Sequence, residues 1–126
     1  MLSSVLFVDD DDDLREAMQA ILERLSVARV VAARSLRDVM DKRDEALACE
    51  LAFLDINLGA GEPTGVEICE WLRREGFAGR IVFLTGHASN DPRVREAAGV
   101  AQSQIASKPV SVSTLRELLD ATRRPL

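Results

Sequence analysis

The sequence predicts an α/β fold: a five-stranded parallel sheet covered on both faces by helices. Two observations lead there. Short apolar runs of strand length alternate with amphipathic stretches of helical period along the whole chain. Such alternation makes βαβ units, whose right-handed crossovers leave few topologies. Polar residues also follow directly on the last apolar residue of four of those runs, at the sheet edge where a site belongs in this class of fold.

Ser4 to Val8 reads as a first strand, and Asp12 to Leu25 as a helix with Leu14, Met18, Ile21, Leu22 and Leu25 on one face. Val27 to Ala32 reads as a second strand. Ser35 is a helix N-cap, and the helix after it runs from Leu36 to about Ala46, with Leu36, Val39, Met40 and Leu47 facing inward. Leu51 to Leu54 forms a third strand ending at Asp55. A glycine-rich loop, Gly59 to Gly65, leads into a helix carrying Val66, Ile68, Cys69 and Leu72, which Gly76 stops. Ile81 to Leu84 is a fourth strand ending at Thr85. Pro92 suits the first turn of a weaker helix reaching Ala98. Gln104 to Ser107 is a short fifth strand before Lys108-Pro109, and Val112 to Arg123 the last helix.

Composition narrows the class. The 126 residues are expected to form a single domain without an output domain, and 47% apolar with 29% charged residues suits an ordinary globular core. A net charge of −5 and the lack of a basic face argue against direct nucleic-acid binding. Cys49 and Cys69 have no metal-ligand spacing and read as buried thiols of a reducing compartment. No stretch reaches the length of a membrane span and no signal peptide is evident, so a cytoplasmic location is expected.

The chemistry concentrates at the strand ends. Five consecutive aspartates, Asp9 to Asp13, follow the apolar run Val5 to Val8. For Asp11 to Asp13 a solvated charge run and a helix N-cap explain most of the pattern. Asp9 and Asp10 instead read, with Asp55, as oxygen ligands for a hard divalent cation such as Mg2+. Asp55 can also serve as a nucleophile, since carboxylates form acyl phosphates. Phosphoryl transfer then needs a cation, a positive side chain and hydrogen-bond donors; Lys108 suits the second role and the Thr85 hydroxyl the third. Taken singly, a lone lysine is usually a solvated charge and a strand-end threonine usually only a strand residue. On successive strand ends they form a constellation.

Val8-Asp9-Asp10, Leu54-Asp55-Ile56-Asn57-Leu58, Leu84-Thr85-Gly86 and Ser107-Lys108-Pro109 together resemble a response-regulator receiver domain, at the family's customary spacing and over nearly the whole chain. The resemblance implies a flavodoxin-like (βα)5 three-layer sandwich with strand order 2-1-3-4-5. It implies that Asp55 accepts a phosphoryl group from a histidine kinase or a histidine phosphotransfer protein and that the change is relayed to a downstream protein target. Asp10, Asp55 and the Asn57 backbone carbonyl would hold Mg2+, with Asp9 acting through water. Lys108 would pair with the phosphoryl group, Thr85 would hydrogen-bond it, and Lys108-Pro109 would be a cis peptide. No enzymatic activity is implied beyond self-catalysed phosphotransfer and autodephosphorylation.

Several positions depart from the family pattern. Ile105 stands where an aromatic partner of the threonine is usual, so the ring movement that normally couples the site to the surface is lacking. The loop after Asp55 is about two residues longer than usual, and Thr64 replaces the acidic residue common before its last glycine. His87, the only histidine, falls on the expected rim of the site, where it either tunes the lifetime of the aspartyl phosphate or is an exposed loop residue. The surface near Ile105 and Val110 is a candidate for homodimerisation. Two other functions compete: a degenerate receiver that binds partners without phosphorylation, and a Mg2+-dependent phosphohydrolase. Asn57 counts against the latter, because such enzymes generally carry a second acid at that position.

Overall fold

The computed structural model describes residues 4–86, 92–100, 103–108 and 110–123. Five strands, β1 (Ser4–Val8), β2 (Arg29–Ala33), β3 (Leu51–Asp55), β4 (Arg80–Thr85) and β5 (Ser103–Ser107), pair in parallel in the order β2-β1-β3-β4-β5. The expected flavodoxin-like sheet is therefore present. In register, Val5 sits between Val30 and Leu51, and Phe83 between Leu54 and Ile105.

The alternation of side chains along each strand divides the core into two layers. Val5 and Phe7 of β1, with Leu51 and Phe53 of β3, pack under α1 (Asp12–Arg24) and α6 (Val112–Arg123) through Met18, Leu22, Leu115 and Leu119. Leu6, Val8, Ala52 and Leu54 face the other way. They meet α2 (Leu36–Asp41), α3 (Arg43–Leu47), α4 (Gly65–Arg74) and α5 (Pro92–Ala98) through Val39, Ala46, Ile68, Leu72 and Val94. Because β1 and β3 are covered on both sides, every one of their residues is buried.

Capping follows the sequence closely. Asp11 accepts the Leu14 N–H at 3.1 Å and Ser35 the Asp38 N–H at 3.2 Å, as their residue types suggest. Thr64, the unusual residue before Gly65, caps α4. Its hydroxyl accepts the Glu67 N–H while the Glu67 carboxylate accepts the Thr64 N–H, a reciprocal capping box. Gly76 takes φ +99°, and the Phe77 N–H closes back on the Leu72 carbonyl at 2.8 Å, ending the helix as expected.

Three expectations are corrected. Val27 does not begin β2: Ser26 turns the chain at φ 72° and the Val27 N–H bonds the Leu22 carbonyl at 3.1 Å, so Val27 is spent closing α1. The helix expected from Leu36 to Ala46 is two helices, broken at Lys42, whose ammonium reaches back to the Ala32 carbonyl at 2.6 Å. Met40, expected to face inward, is 41% exposed. Both cysteines are buried and unbridged, with thiols that burial pushes above their ordinary pKa. Among the described residues no helix is long and apolar enough to cross a membrane.

Candidate functional site

The carboxyl ends of β1, β3, β4 and β5 bring together Asp9, Asp10, Asp55, Thr85 and Lys108. Asp9 is the first residue beyond β1, anchored by its N–H to the Ala33 carbonyl at 3.1 Å. Asp55 closes β3, and the next N–H, that of Ile56, bonds the Leu84 carbonyl of β4 at 3.0 Å. Lys108 is fixed to the end of β4 by its N–H, 2.8 Å from the Thr85 carbonyl. Asp9, Asp55 and Lys108 thus leave a backbone held by hydrogen bonds at the sheet edge, so these members of the site are placed by the most rigid part of the fold.

Asp9 is fully buried, Asp55 and Thr85 are nearly so, and Asp10 is exposed. The Lys108 ammonium bridges the two buried acids, 3.1 Å from Asp9 Oδ2 and 3.1 Å from Asp55 Oδ2. Asp9 Oδ1 accepts the Asp11 N–H at 2.9 Å, and Asp55 Oδ1 the Asn57 N–H at 3.3 Å. Carboxylate oxygens of Asp9, Asp10 and Asp55 all lie within 4.8 Å of one another. Three such carboxylates against one ammonium leave an excess of negative charge, and hard oxygen donors at this spacing fit a divalent ion such as Mg2+.

That crowding perturbs Asp55. Burial, reinforced by the charge of Asp9, pushes Asp55 up from 3.8 to about 6, although Lys108 and the Asn57 N–H oppose the change. Burial disfavours the Lys108 ammonium as well, but hydrogen bonds and charge from Asp9 and Asp55 hold its pKa above the ordinary lysine value.

The loop after β3 forms the wall. Asn57 Oδ1 accepts the Gly59 N–H at 3.2 Å, and Gly59 adopts φ +110° beside the Asp10 carboxylate. Gly65 is required by close approach: a Cβ there would lie 2.4 Å from the Asp55 carbonyl oxygen. The hollow over the acids has a volume of about 330 Å3 and is lined by Asp9, Asp10, Asp55, Asn57, Gly59 and Lys108, among others. A second, of about 400 Å3, shares Asn57 and Gly59 and runs along the loop to Thr64. A larger concavity of about 790 Å3 opens at the opposite end of the sheet, between Cys49, Gly79 and Thr122. It holds no comparable convergence of acids and amine, so chemistry rather than size picks out the site.

His87 and Pro109 lie outside the described residues, and with them the rim histidine and the cis peptide. Ile105 is half-buried and packs against the core beneath α4 and α5. One residue that sequence reasoning missed is Arg15. Its guanidinium donates to the Asp9 carbonyl at 2.9 Å and pairs with the Asp12 carboxylate, holding the Asp12 acid below its usual pKa. The available signal was the i,i+3 spacing of Asp12 and Arg15.

A doubly covered parallel sheet with an acid cluster and a lysine at its carboxyl edge defines the class of α/β protein that carries its polar site at the strand ends. The chain belongs to the response regulator receiver domain family, whose model matches residues 5–120. Response regulator protein PilR of Pseudomonas aeruginosa is 29% identical to it over 122 residues, which is 94% of this chain and 26% of PilR. The chain thus spans about a quarter of the length of that relative. Among solved structures, a CheY-like receiver domain protein from Methanospirillum hungatei is 26% identical with a TM-score of 0.78, covering 96% of this chain and 93% of its own. The chemotaxis protein CheY4 of Vibrio cholerae, at 23% identity, superposes with a TM-score of 0.79 over 97% of this chain and 99% of its own, a likeness of fold.

Proposed function

We propose that this domain is a phosphorylation-dependent switch in which Asp55 takes a phosphoryl group from a phosphohistidine on a histidine kinase or phosphotransfer protein. The observation that carries the reading is the Asp55 carboxylate itself. It is nearly buried, yet it faces a hollow it shares with Asp9, Asp10 and the Lys108 ammonium. Buried acids drawn together at a desolvation cost imply a ligand that compensates them.

In the reaction an Asp55 oxygen attacks phosphorus, a P–O bond forms, the P–N bond breaks, and the imidazole leaves with the electron pair. Asp10, Asp55 and the Asn57 carbonyl would hold Mg2+, with Asp9 acting through water. Bound there, Mg2+ supplies Lewis-acid stabilisation of charge on the phosphoryl oxygens. Lys108, which bridges Asp9 and Asp55, would move onto a phosphoryl oxygen, keeping the buried charge compensated. The Thr85 hydroxyl, at the end of the neighbouring strand, is the donor proposed to hydrogen-bond the product. The added charge biases a two-state equilibrium and so changes affinity for a downstream protein target. Turnover is confined to the domain's own phosphorylation and dephosphorylation.

Ile105 favours a second reading, a receiver that binds its partner whether or not it is phosphorylated. An aliphatic side chain packed against the core offers no aromatic ring to swing between inward and outward positions. The separating experiment is intact-mass measurement after incubation with acetyl phosphate, with and without Mg2+. The proposal expects one phosphoryl adduct on the wild type, none on Asp55→Asn and none without metal. No adduct at the shortest quench times would favour the second reading.

A further inference from the structure

Arg15 stands where local energetics disfavour it. It lies in the first turn of α1, where a cation opposes the helix dipole, and its side chain is only 19% exposed. What holds it there is a pair of contacts: one guanidinium nitrogen donates to the Asp9 backbone carbonyl at 2.9 Å, and the other pairs with Asp12. The Asp9 carbonyl belongs to the peptide that joins Asp9 to Asp10. The rest of Asp9 is committed elsewhere: its N–H to Ala33, one carboxylate oxygen to the Asp11 N–H and the other to Lys108. The bond from Arg15 therefore sets the remaining degree of freedom, the tilt of the peptide that carries the exposed Asp10.

We propose that Arg15 is a positioning residue of the acid site. It bridges the end of β1 to the first turn of α1, so that the Asp10 carboxylate stays within ligating reach of Asp55, and it raises Mg2+ affinity through the backbone rather than through its charge. The inference rests on reading the acid cluster as a Mg2+ site. A planar guanidinium can hold two acceptors in one fixed geometry, which an ammonium cannot.

Charge and positioning predict opposite signs, and this makes the idea testable. If Arg15 acted only as a nearby cation, removing it would make the site more negative and tighten Mg2+ binding. If it orients the Asp9–Asp10 peptide, removing it loosens the ligands and weakens binding, by about tenfold or more for a supporting residue of this kind. Mg2+ titration by calorimetry at fixed ionic strength, on the wild type, Arg15→Ala and Arg15→Lys, reads the sign. Both variants are expected to bind about tenfold more weakly. A readout without metal accompanies it: exchange of the Asp11 amide, which donates to Asp9 Oδ1, should quicken in both variants.

Unchanged or tighter Mg2+ binding by Arg15→Ala overturns the inference, as does full restoration by lysine. If the wild type itself fails to bind Mg2+, the reading of the site falls and takes the inference with it, an outcome distinct from wild-type binding with indifferent variants. Should Arg15→Ala not fold, Arg15→Gln carries the same comparison.

Discussion

Replacing Asp55 by asparagine is expected to stabilise the metal-free protein above pH 6 and to change little near pH 4. Burial and the neighbouring Asp9 charge raise the Asp55 pKa from 3.8 to about 6. The folded protein thus holds that proton more tightly than the unfolded chain does. Its contribution to stability is complete below about pH 4 and is lost as the pH rises through about 6. A gap of that size corresponds to about 3 kcal/mol once Asp55 is ionised. Asparagine never ionises, but its amide replaces only part of the carboxylate's bonding to Lys108 and the Asn57 N–H, so the net gain should be about 1–3 kcal/mol. For a domain of this size that is roughly 4–12 °C in Tm. Urea unfolding followed by far-UV circular dichroism from pH 4 to 8, in chelator, measures it. Adding Mg2+ should then narrow the gap, since a bound cation favours the ionised carboxylate of the wild type. Equal stability of the two proteins at pH 8, or a difference that grows toward pH 4, would refute the reasoning.

Other perturbations test the same structure. Gly65→Ala would place a Cβ 2.4 Å from the Asp55 carbonyl oxygen, a backbone atom that cannot step aside. A loss of about 1–3 kcal/mol, read as a lower urea midpoint, is expected. Lys108→Met removes the ammonium bridging Asp9 and Asp55. It should destabilise the metal-free protein by about 1–3 kcal/mol at pH 8 and by less at pH 5, where Asp55, whose pKa is raised to about 6, takes up a proton. Met40→Ala, at an exposed position, should alter stability by no more than about 0.5 kcal/mol. Leu72→Ala, at a fully buried one, should cost about 2–5 kcal/mol.

Much of the fold was legible because its signals are local. The strands β1 and β3 are apolar runs ending at acids, and Asp11, Ser35 and Gly76 act as the caps their chemistry suggests. What the sequence hid depends on contacts made across the fold. No glycine or proline marks the break at Lys42; it coincides with the reach of that side chain to the Ala32 carbonyl, while within α2 Val39 is the residue that turns inward and Met40 stays exposed. Val27 looked like a strand residue because it is apolar and buried, but its N–H is used to close α1.

The site divides in the same way. Asp9, Asp10, Asp55, Thr85 and Lys108 could be found from their places at strand ends. Their inequality could not: Asp9 is buried against Lys108, 99 residues away in sequence, while Asp10 beside it faces solvent. Arg15 went unnoticed because a charged residue in a first helical turn looks like a solvated surface residue until the Asp9 carbonyl is seen within its reach. Thr64, which reads as a departure from the family pattern, is a capping residue for the helix that packs behind Asp55.

Everything proposed about signalling depends on where the phosphoryl group goes. An acyl phosphate on an aspartate is reduced by borohydride to homoserine, which leaves a permanent mark in the peptide. Treating the protein with acetyl phosphate and Mg2+, reducing, digesting and sequencing by mass spectrometry would locate it. Conversion at Asp55 alone, absent when Mg2+ is withheld, is the expected result. Conversion at Asp9 or Asp10 instead, or at no residue despite prompt quenching, would contradict the assignment of Asp55 as phosphoacceptor.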